Sequence, residues 1–203
     1  MYTLNIIIMK TTLEHNFKTK CQSLPALFEG VNKMSQLMYK IEKFSRLDPL
    51  NYDPDKYKGD AFEFFIELFL MLHPCDNRVG VYDYKPTQDN DNGVDGVGVN
   101  IRNQKCVVQI KYRGNPQEEL TTNQDHLSNM ITNGMIYHDV VIDKINQKNF
   151  RHFIFTTAKG LHFYTKNEMF GNRVKCFNYK NFRSMLDNNT IFWDKAREVV
   201  SNM

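Results

Sequence analysis

The segment Lys105 to Tyr112 constrains the fold more than any other part of the sequence. It reads Lys-Cys-Val-Val-Gln-Ile-Lys-Tyr, and β-branched and aromatic residues at this density are typical of a strand. A second apolar stretch, Val94 to Val99, lies just before it, and Asn103-Gln104 provide a turn between the two. The pattern therefore predicts an antiparallel β-hairpin.

Helical patterns dominate the sequence before this hairpin. Apolar residues at three- and four-residue steps predict a largely helical segment over residues 11–47, with a break or a helix start at Pro25. Residues 48–59 contain two prolines and three aspartates, which are typical of a loop. A second helix is predicted from Gly59 to Leu72, with Asp60 as its N-terminal cap.

The remaining patterns complete a mixed α/β chain. Further strands are predicted at 79–84, 153–157 and 161–164, and further helices at 122–137, 179–187 and 191–200. The order of helix, three strands, helix and further strands predicts an α/β layered domain. We place this domain at residues 51–203, preceded by an N-terminal helical extension over residues 1–50.

The composition is that of a folded protein without a membrane span. The chain has 203 residues, of which 41% are hydrophobic, enough for one domain with a good core. No apolar run reaches the ~18 residues that a membrane-spanning helix needs. The four cysteines lack the paired spacing of a zinc site, so we expect reduced thiols and a cytoplasmic location.

Charge is distributed unevenly along the chain. The net charge is +3, but residues 10–46 carry +4, residues 47–143 carry −8, and residues 144–183 carry +8. An acidic centre between basic flanks is typical of a metal site beside a track for a polyanion. An ordinary solvated surface explains the same distribution, and the sequence leaves both readings open.

The hairpin brings together three side chains with a shared chemistry. Asp95 lies at the start of one strand, and Gln109 and Lys111 lie two residues apart on the next, so they share a face. Ile110 between them is expected to point into the core, while its backbone carbonyl turns toward Asp95. A carboxylate, an amide, a carbonyl and an ammonium group at one point are the parts that metal-assisted phosphodiester hydrolysis needs.

These residues resemble a known family. Gly93-Val94-Asp95-Gly96 followed by Gln109-Ile110-Lys111 is similar to the signature of the Mrr-like branch of the PD-(D/E)xK nuclease superfamily, in which Gln replaces the second acidic residue. Gly59-Asp60-Ala61-Phe62-Glu63 also resembles the first helix of that branch, whose glutamate lies near the metal. The resemblance covers residues 59–157.

The resemblance implies a fold, a cofactor and a reaction. The fold is a restriction-endonuclease-like mixed β-sheet flanked by helices, and the activity is Mg²⁺-dependent cleavage of DNA, with Mn²⁺ as a substitute metal. The implied catalytic residues are Asp95, Gln109, Lys111 and Glu63, and the implied metal ligands are Asp95, Gln109, the Ile110 carbonyl and Glu63. Glu67 is a reserve carboxylate, and Glu63 has the alternative role of a helix cap.

Expected partners follow from the same interpretation. DNA contacts are expected from Tyr112, Arg113, Lys144, Lys148, Arg151, Lys159, Lys166, Arg173 and Lys175. A strand-end salt bridge is the alternative role for Arg113. Cutting both strands of a duplex favours a homodimer, and the gene fits a phage or a mobile element. A DNA-binding module without turnover, a branched-DNA nuclease and an RNA nuclease remain open alternatives.

Overall fold

A five-stranded mixed sheet forms the centre of the structure, a computed structural model that describes residues 13–21, 23–47, 52–72, 78–87, 93–122, 127–137, 151–170 and 174–203. The strands are β1 (Tyr82–Pro86), β2 (Gly96–Val99), β3 (Lys105–Lys111), β4 (Glu119–Leu120), β5 (Arg151–Thr156), β6 (Gly160–Leu161) and β7 (Val174–Phe177). The central sheet has the order β1-β2-β3-β5-β7, and β4 pairs with β6 separately.

The sheet is antiparallel on one side of β3 and parallel on the other. Strands β1, β2 and β3 form an antiparallel meander, whereas β3, β5 and β7 run parallel. The predicted hairpin is confirmed, with its register running from Gly96 opposite Val108 to Val99 opposite Lys105. Parallel neighbours need a crossover connection, and helix α5 (Leu127–Tyr137) lies in the connection from β3 to β5.

Strand boundaries differ from the sequence predictions at several places. Strand β1 lies about three residues later than predicted, because Val79 and Val81 are buried before the strand begins. Strands β4 and β7 were not predicted, since runs of two and four residues are too short for a periodic signal.

Helices cover both faces of the sheet. They are α1 (Phe17–Lys20), α2 (Leu24–Phe28), α3 (Met34–Phe44), α4 (Pro54–Leu72), α5, α6 (Tyr179–Leu186) and α7 (Thr190–Ser201), and a π-helical segment spans Thr165–Phe170. Helix α4 packs against β1 and β3 on one face, and α5 packs against β3 on the other. The alternation of β3 follows this arrangement: Cys106 and Val108 belong to the core around α4, and Val107 belongs to the core under α5.

Helix α4 begins earlier than the sequence analysis predicted, so the predicted cap at Asp60 is wrong. The Asp53 carboxylate accepts the backbone N–H groups of Asp55 (3.0 Å) and Lys56 (2.8 Å), and Pro54 takes the first helical position. An Asp followed by Pro is a strong helix start, and it outweighs the loop-like composition around it. Asp60 lies within the helix, where it accepts a hydrogen bond from the Tyr52 hydroxyl.

The segment before α4 is helical in three pieces and packs on its own chain. Pro25 lies in the first turn of α2, which confirms the helix start predicted there. Buried residues of α1, α2 and α3 belong to the same hydrophobic core as α4, and they include Phe17, Leu27 and Leu37. The division of the chain at residue 50 stays a prediction.

The two closing helices confirm the predictions at 179–187 and 191–200 within one residue at each end. Trp193 is fully buried, and its indole N–H donates to the Leu186 carbonyl at 2.7 Å. The Arg197 guanidinium donates to the Val31 carbonyl at 2.6 Å, which ties α7 to the loop between α2 and α3.

The cap of α4 provides a test of this account. We expect Asp53→Ala to lower the free energy of unfolding by about 1 kcal/mol, because two amide groups at the helix start are left without their acceptor. Asp53→Asn retains an acceptor oxygen and should cost clearly less. Chemical denaturation of both variants measures the difference, and equal losses would contradict the assignment of Asp53 as the cap.

Candidate active site

Asp95 lies where the hydrogen-bonded ladder between β2 and β3 ends. The last paired residues are Gly96 and Val108, and the Asp95 amide still donates to the Val108 carbonyl at 3.0 Å. One step further, the Asp95 carboxylate accepts the N–H of Ile110. A buried amide must be paired, and here a side chain provides the acceptor that the neighbouring strand no longer supplies. The carboxylate, on a residue only 6% exposed, therefore lies directly beside the Gln109–Ile110 peptide.

Backbone direction on β3 supports the expected role of the Ile110 carbonyl. The N–H and C=O of one strand residue face the same neighbouring strand, so the Ile110 carbonyl is directed to the Asp95 side. The next carbonyl, that of Lys111, faces β5 and accepts the Thr156 hydroxyl at 2.7 Å. The Ile110 side chain is 3% exposed in the core around α4, as predicted.

Gln109 is fully buried on β3, where a polar side chain is unusual. Neither the nitrogen nor the oxygen of its amide has a hydrogen-bond partner among the residues that the structure describes. Leaving a buried polar group unpaired costs about 1–3 kcal/mol. A bound cation on the amide oxygen would offset part of this cost.

Tyr84 contacts Asp95 and packs against the core around α4, and no pattern in the sequence indicated it. Its hydroxyl donates to the Asp95 carbonyl at 3.3 Å, and its ring lies so close to Gly96 that a Cβ atom there would overlap the ring carbons. Burial raises the pKa of Tyr84 well above its ordinary value, and the carboxylates of Glu63, Asp95 and Glu67 raise this pKa further. The two implied metal-binding carboxylates, Asp95 and Glu63, thus act on the same phenol.

Glu63 lines a cavity at the carboxyl end of β3. The cavity has a volume of about 340 Å³, and Ile110, Lys111, Tyr112 and Arg113 line it too. Several residues implied by the resemblance therefore meet at one opening between α4 and β3. Asp95 and Gln109 do not form part of its wall, although the Asp95 carboxylate contacts Ile110, which does. The Gln109 side chain shares a face of β3 with Val107, on the side of α5.

Hydrogen-bond donors from the N-terminal segment, residues 13–16 before α1, hold the carboxylates of α4. The His15 ring nitrogen Nε2 lies 3.1 Å from Glu63 Oε2. The Glu67 carboxylate accepts the backbone N–H groups of Glu14 and His15, the latter at 2.9 Å. Burial raises the pKa of Glu67, and the hydrogen bonds from Glu14 and His15 partly oppose this shift. The reserve carboxylate is therefore bound to the main chain, and no spacing signal in the sequence indicated His15.

Further charged residues complete the cavity wall. Glu42 on α3 lies close to Tyr112, and burial, followed by this carboxylate, raises the pKa of the Tyr112 hydroxyl. Lys58 on α4 forms an ion pair with Asp55 at 2.7 Å. Arg113 lies 3.8 Å from Glu118, which is the salt bridge considered as its alternative role. The wall thus combines both signs of charge.

The donor atoms around Asp95 meet the needs of one kind of divalent cation. Among the described residues, no group of three or more His, Cys, Asp and Glu side chains is spaced to hold a metal ion. Magnesium, however, is commonly bound through one or two carboxylates, with water and substrate phosphate completing its octahedral shell. The Asp95 carboxylate, the Ile110 carbonyl and the unpaired Gln109 amide oxygen are hard donors of this kind. The chemistry of these donors, a carboxylate with neutral oxygen atoms, is the type that Mg²⁺ and Mn²⁺ prefer.

The predicted DNA-binding residues lie in several places. Lys144, Lys148 and Arg173 fall outside the described residues. Lys166 and Lys175 are exposed, as is Lys180 in the same basic segment of residues 144–183, whereas Arg151 is partly buried at the start of β5. Lys159 forms an ion pair with Glu119 at 2.7 Å, and Arg183 forms one with Asp187 at 3.1 Å.

Comparison of the chain with protein-family models, with curated proteins and with solved structures found no match in any of the three. Within the described residues, no helix has both the length and the apolar character required to cross a membrane.

The packing of Gly96 against Tyr84 provides a test of the site's geometry. We expect Gly96→Ala to lower the free energy of unfolding by about 1–3 kcal/mol, because the added methyl group enters the Tyr84 ring. Gly59→Ala is the control, since a Cβ atom at that position meets nothing within 4 Å. Chemical denaturation measures both effects.

A double substitution separates this clash from a general weakening of the strand. Combining Gly96→Ala with Tyr84→Leu should cost less than the sum of the two single substitutions, because the smaller side chain makes room for the methyl group. Additive costs would contradict the close approach of Tyr84 to Gly96.

Proposed function

We propose that this chain is a metal-dependent endodeoxyribonuclease of the PD-(D/E)xK superfamily with a restriction-endonuclease-like fold. The observation that carries the proposal is the Asp95 carboxylate on the Ile110 amide, next to the cavity that Glu63 and Lys111 share. A mixed sheet flanked by helices is compatible with this fold. The free thiols of Cys21, Cys106 and Cys176 are consistent with activity in a reducing cytoplasm.

Each residue of the candidate site has a defined role in this proposal. Asp95, the Ile110 carbonyl and Gln109 would hold Mg²⁺ or Mn²⁺, and Glu63 would contact the metal or its water shell. When bound, the metal supplies charge neutralisation at the phosphate and lowers the pKa of water. Lys111 orients the attacking water and stabilises the negative charge that develops on the phosphate. Tyr112 and Arg113 would contact the phosphates of the DNA backbone at the cavity opening.

A second copy of the chain is part of the proposal. One active site cuts one strand, so concerted cleavage of a duplex favours a homodimer with two-fold symmetry. The apolar faces of α2 and α3 are already buried within their own chain, so these faces are not available for the dimer interface.

Cleavage itself is tested by Asp95→Asn and Lys111→Ala. The Asn variant keeps an acceptor for the Ile110 amide but removes the negative charge, so the fold should persist while cleavage falls at least about a hundredfold. Lys111→Ala should lower cleavage to a similar extent. Supercoiled plasmid, branched DNA, single strands and RNA are incubated with Mg²⁺, Mn²⁺ or EDTA.

Each outcome of this experiment distinguishes between functions. Cleavage at the wild-type rate by either variant would contradict the assignment of the site. DNA binding by the wild-type chain without cleavage of any substrate would favour a binding module, and cleavage of RNA alone would favour an RNA nuclease.

The basic segment, residues 144–183, is tested by its effect on the salt dependence of DNA binding. Lys166→Ala, Lys175→Ala and Lys180→Ala together should weaken binding to all DNA sequences alike, because each lysine that neutralises a phosphate releases counterions. Affinity should also depend less steeply on salt: the magnitude of the slope of log affinity against log salt concentration should decrease by about 1 for each phosphate that is no longer neutralised. The control replaces the exposed Lys20, Lys33 and Lys43 by Ala, which changes the net charge equally. Equal effects of the two triple variants would remove the basic segment from the binding surface.

A further inference from the structure

We propose that His15 is a positioning residue that holds Glu63 at the cavity wall, and that the N-terminal segment is thereby part of the active site. The inference rests on the nuclease function proposed above and adds to it a residue that lies outside the resemblance. It follows from the two hydrogen bonds of one imidazole ring and from the two backbone hydrogen bonds that attach its peptide to Glu67.

The ring of His15 has a defined hydrogen-bonding direction. Its Nδ1 atom accepts the backbone N–H of Phe17 at 3.0 Å. In a neutral imidazole one nitrogen accepts and the other donates, so the proton is on Nε2. That nitrogen lies 3.1 Å from Glu63 Oε2, and the side chains of His15 and Glu63 are 13% and 25% exposed. The imidazole therefore donates to the carboxylate at a position where both side chains are mostly shielded from solvent.

The peptide that carries the ring is fastened to the same helix. Glu67 lies one turn after Glu63 on α4, so the two carboxylates share a face. Glu67 accepts the amide groups of Glu14 and His15, while Glu63 accepts the ring. On either side of these hydrogen bonds, Leu13 and Phe17 are buried in the main core, 2% and 0% exposed. The ring thus has little freedom to leave the carboxylate.

Fixing Glu63 matters because its side chain reaches the cavity through several rotatable bonds. A carboxylate that already occupies one rotamer gives up less freedom when it meets a cation or its water shell. A partner that holds a ligand in place in this way commonly changes metal affinity by about tenfold to a hundredfold when it is removed. His15 touches the carboxylate and not the reacting atoms, so its effect is indirect.

The test uses a matched pair of variants in the full chain. His15→Gln places an amide donor near the position of Nε2 and should preserve the bond to Glu63. His15→Asn keeps an acceptor near the position of Nδ1, but it has no donor that reaches Glu63. We expect Mn²⁺ affinity, measured by calorimetry without DNA, to fall about tenfold or more in His15→Asn and to be largely restored in His15→Gln.

A double substitution and a stability measurement exclude a merely structural role. Glu63→Gln should weaken Mn²⁺ binding, and adding His15→Asn to it should weaken binding no further, because the two residues act through one hydrogen bond. Chemical denaturation is measured for each variant. Mn²⁺ affinity that follows stability across the variants, or equal affinities in His15→Asn and wild type, would overturn the role of His15.

Different results would contradict the role of His15 and the proposed nuclease function. If wild-type protein binds Mn²⁺ and Glu63→Gln weakens it while His15→Asn does not, the nuclease proposal stands and the role of His15 is wrong. If wild-type protein neither binds Mn²⁺ nor cleaves DNA, both proposals are wrong.

Discussion

From Ala61 to Leu72, helix α4 is apolar around most of its circumference, and this constraint determines how the rest of the described chain is arranged. A helix of this kind must be covered on several sides at once. The sheet covers one side through β1 and β3, α1 and α3 cover a second, and α7 packs against a third. Two glutamates, Glu63 and Glu67, project from this apolar part of the helix, and shielding them from water requires donors. The N-terminal segment supplies those donors, and Glu63 thereby faces the cavity.

The end of the β2–β3 ladder explains why the candidate site lies where it does. Strands that separate leave backbone groups without their neighbour, and polar side chains then enter the sheet. Here Asp95 takes the Ile110 amide, while Gln109 remains fully buried on β3. The cavity lies next to this point, at Lys111. The end of the β2–β3 pairing therefore accounts both for the local irregularity of the sheet and for the position of the candidate site.

Much of the fold follows from short-range patterns, whereas much of the site does not. Strand β3 and the two closing helices were predicted within about one residue because their apolar periodicity is continuous. The start of α4 was misplaced because proline and aspartate were read as loop residues, although together they start a helix. The proximity of Asp95 to the Gln109–Ile110 peptide was predictable from hairpin geometry. His15 and Tyr84 were not, since the contact from His15 to Glu63 spans 48 residues and no local pattern encodes it.

The aromatic packing on α4 has a consequence for the order in which the molecule is assembled during synthesis. Phe62, Phe65 and Phe69 pack against rings from α6 and α7, among them Phe182 and Trp193. While residues 179–201 are still inside the ribosome, this face of α4 lacks the rings of α6 and α7 that cover it in the folded chain. The aromatic packing on this face of α4 is therefore completed only after α6 and α7 have been released.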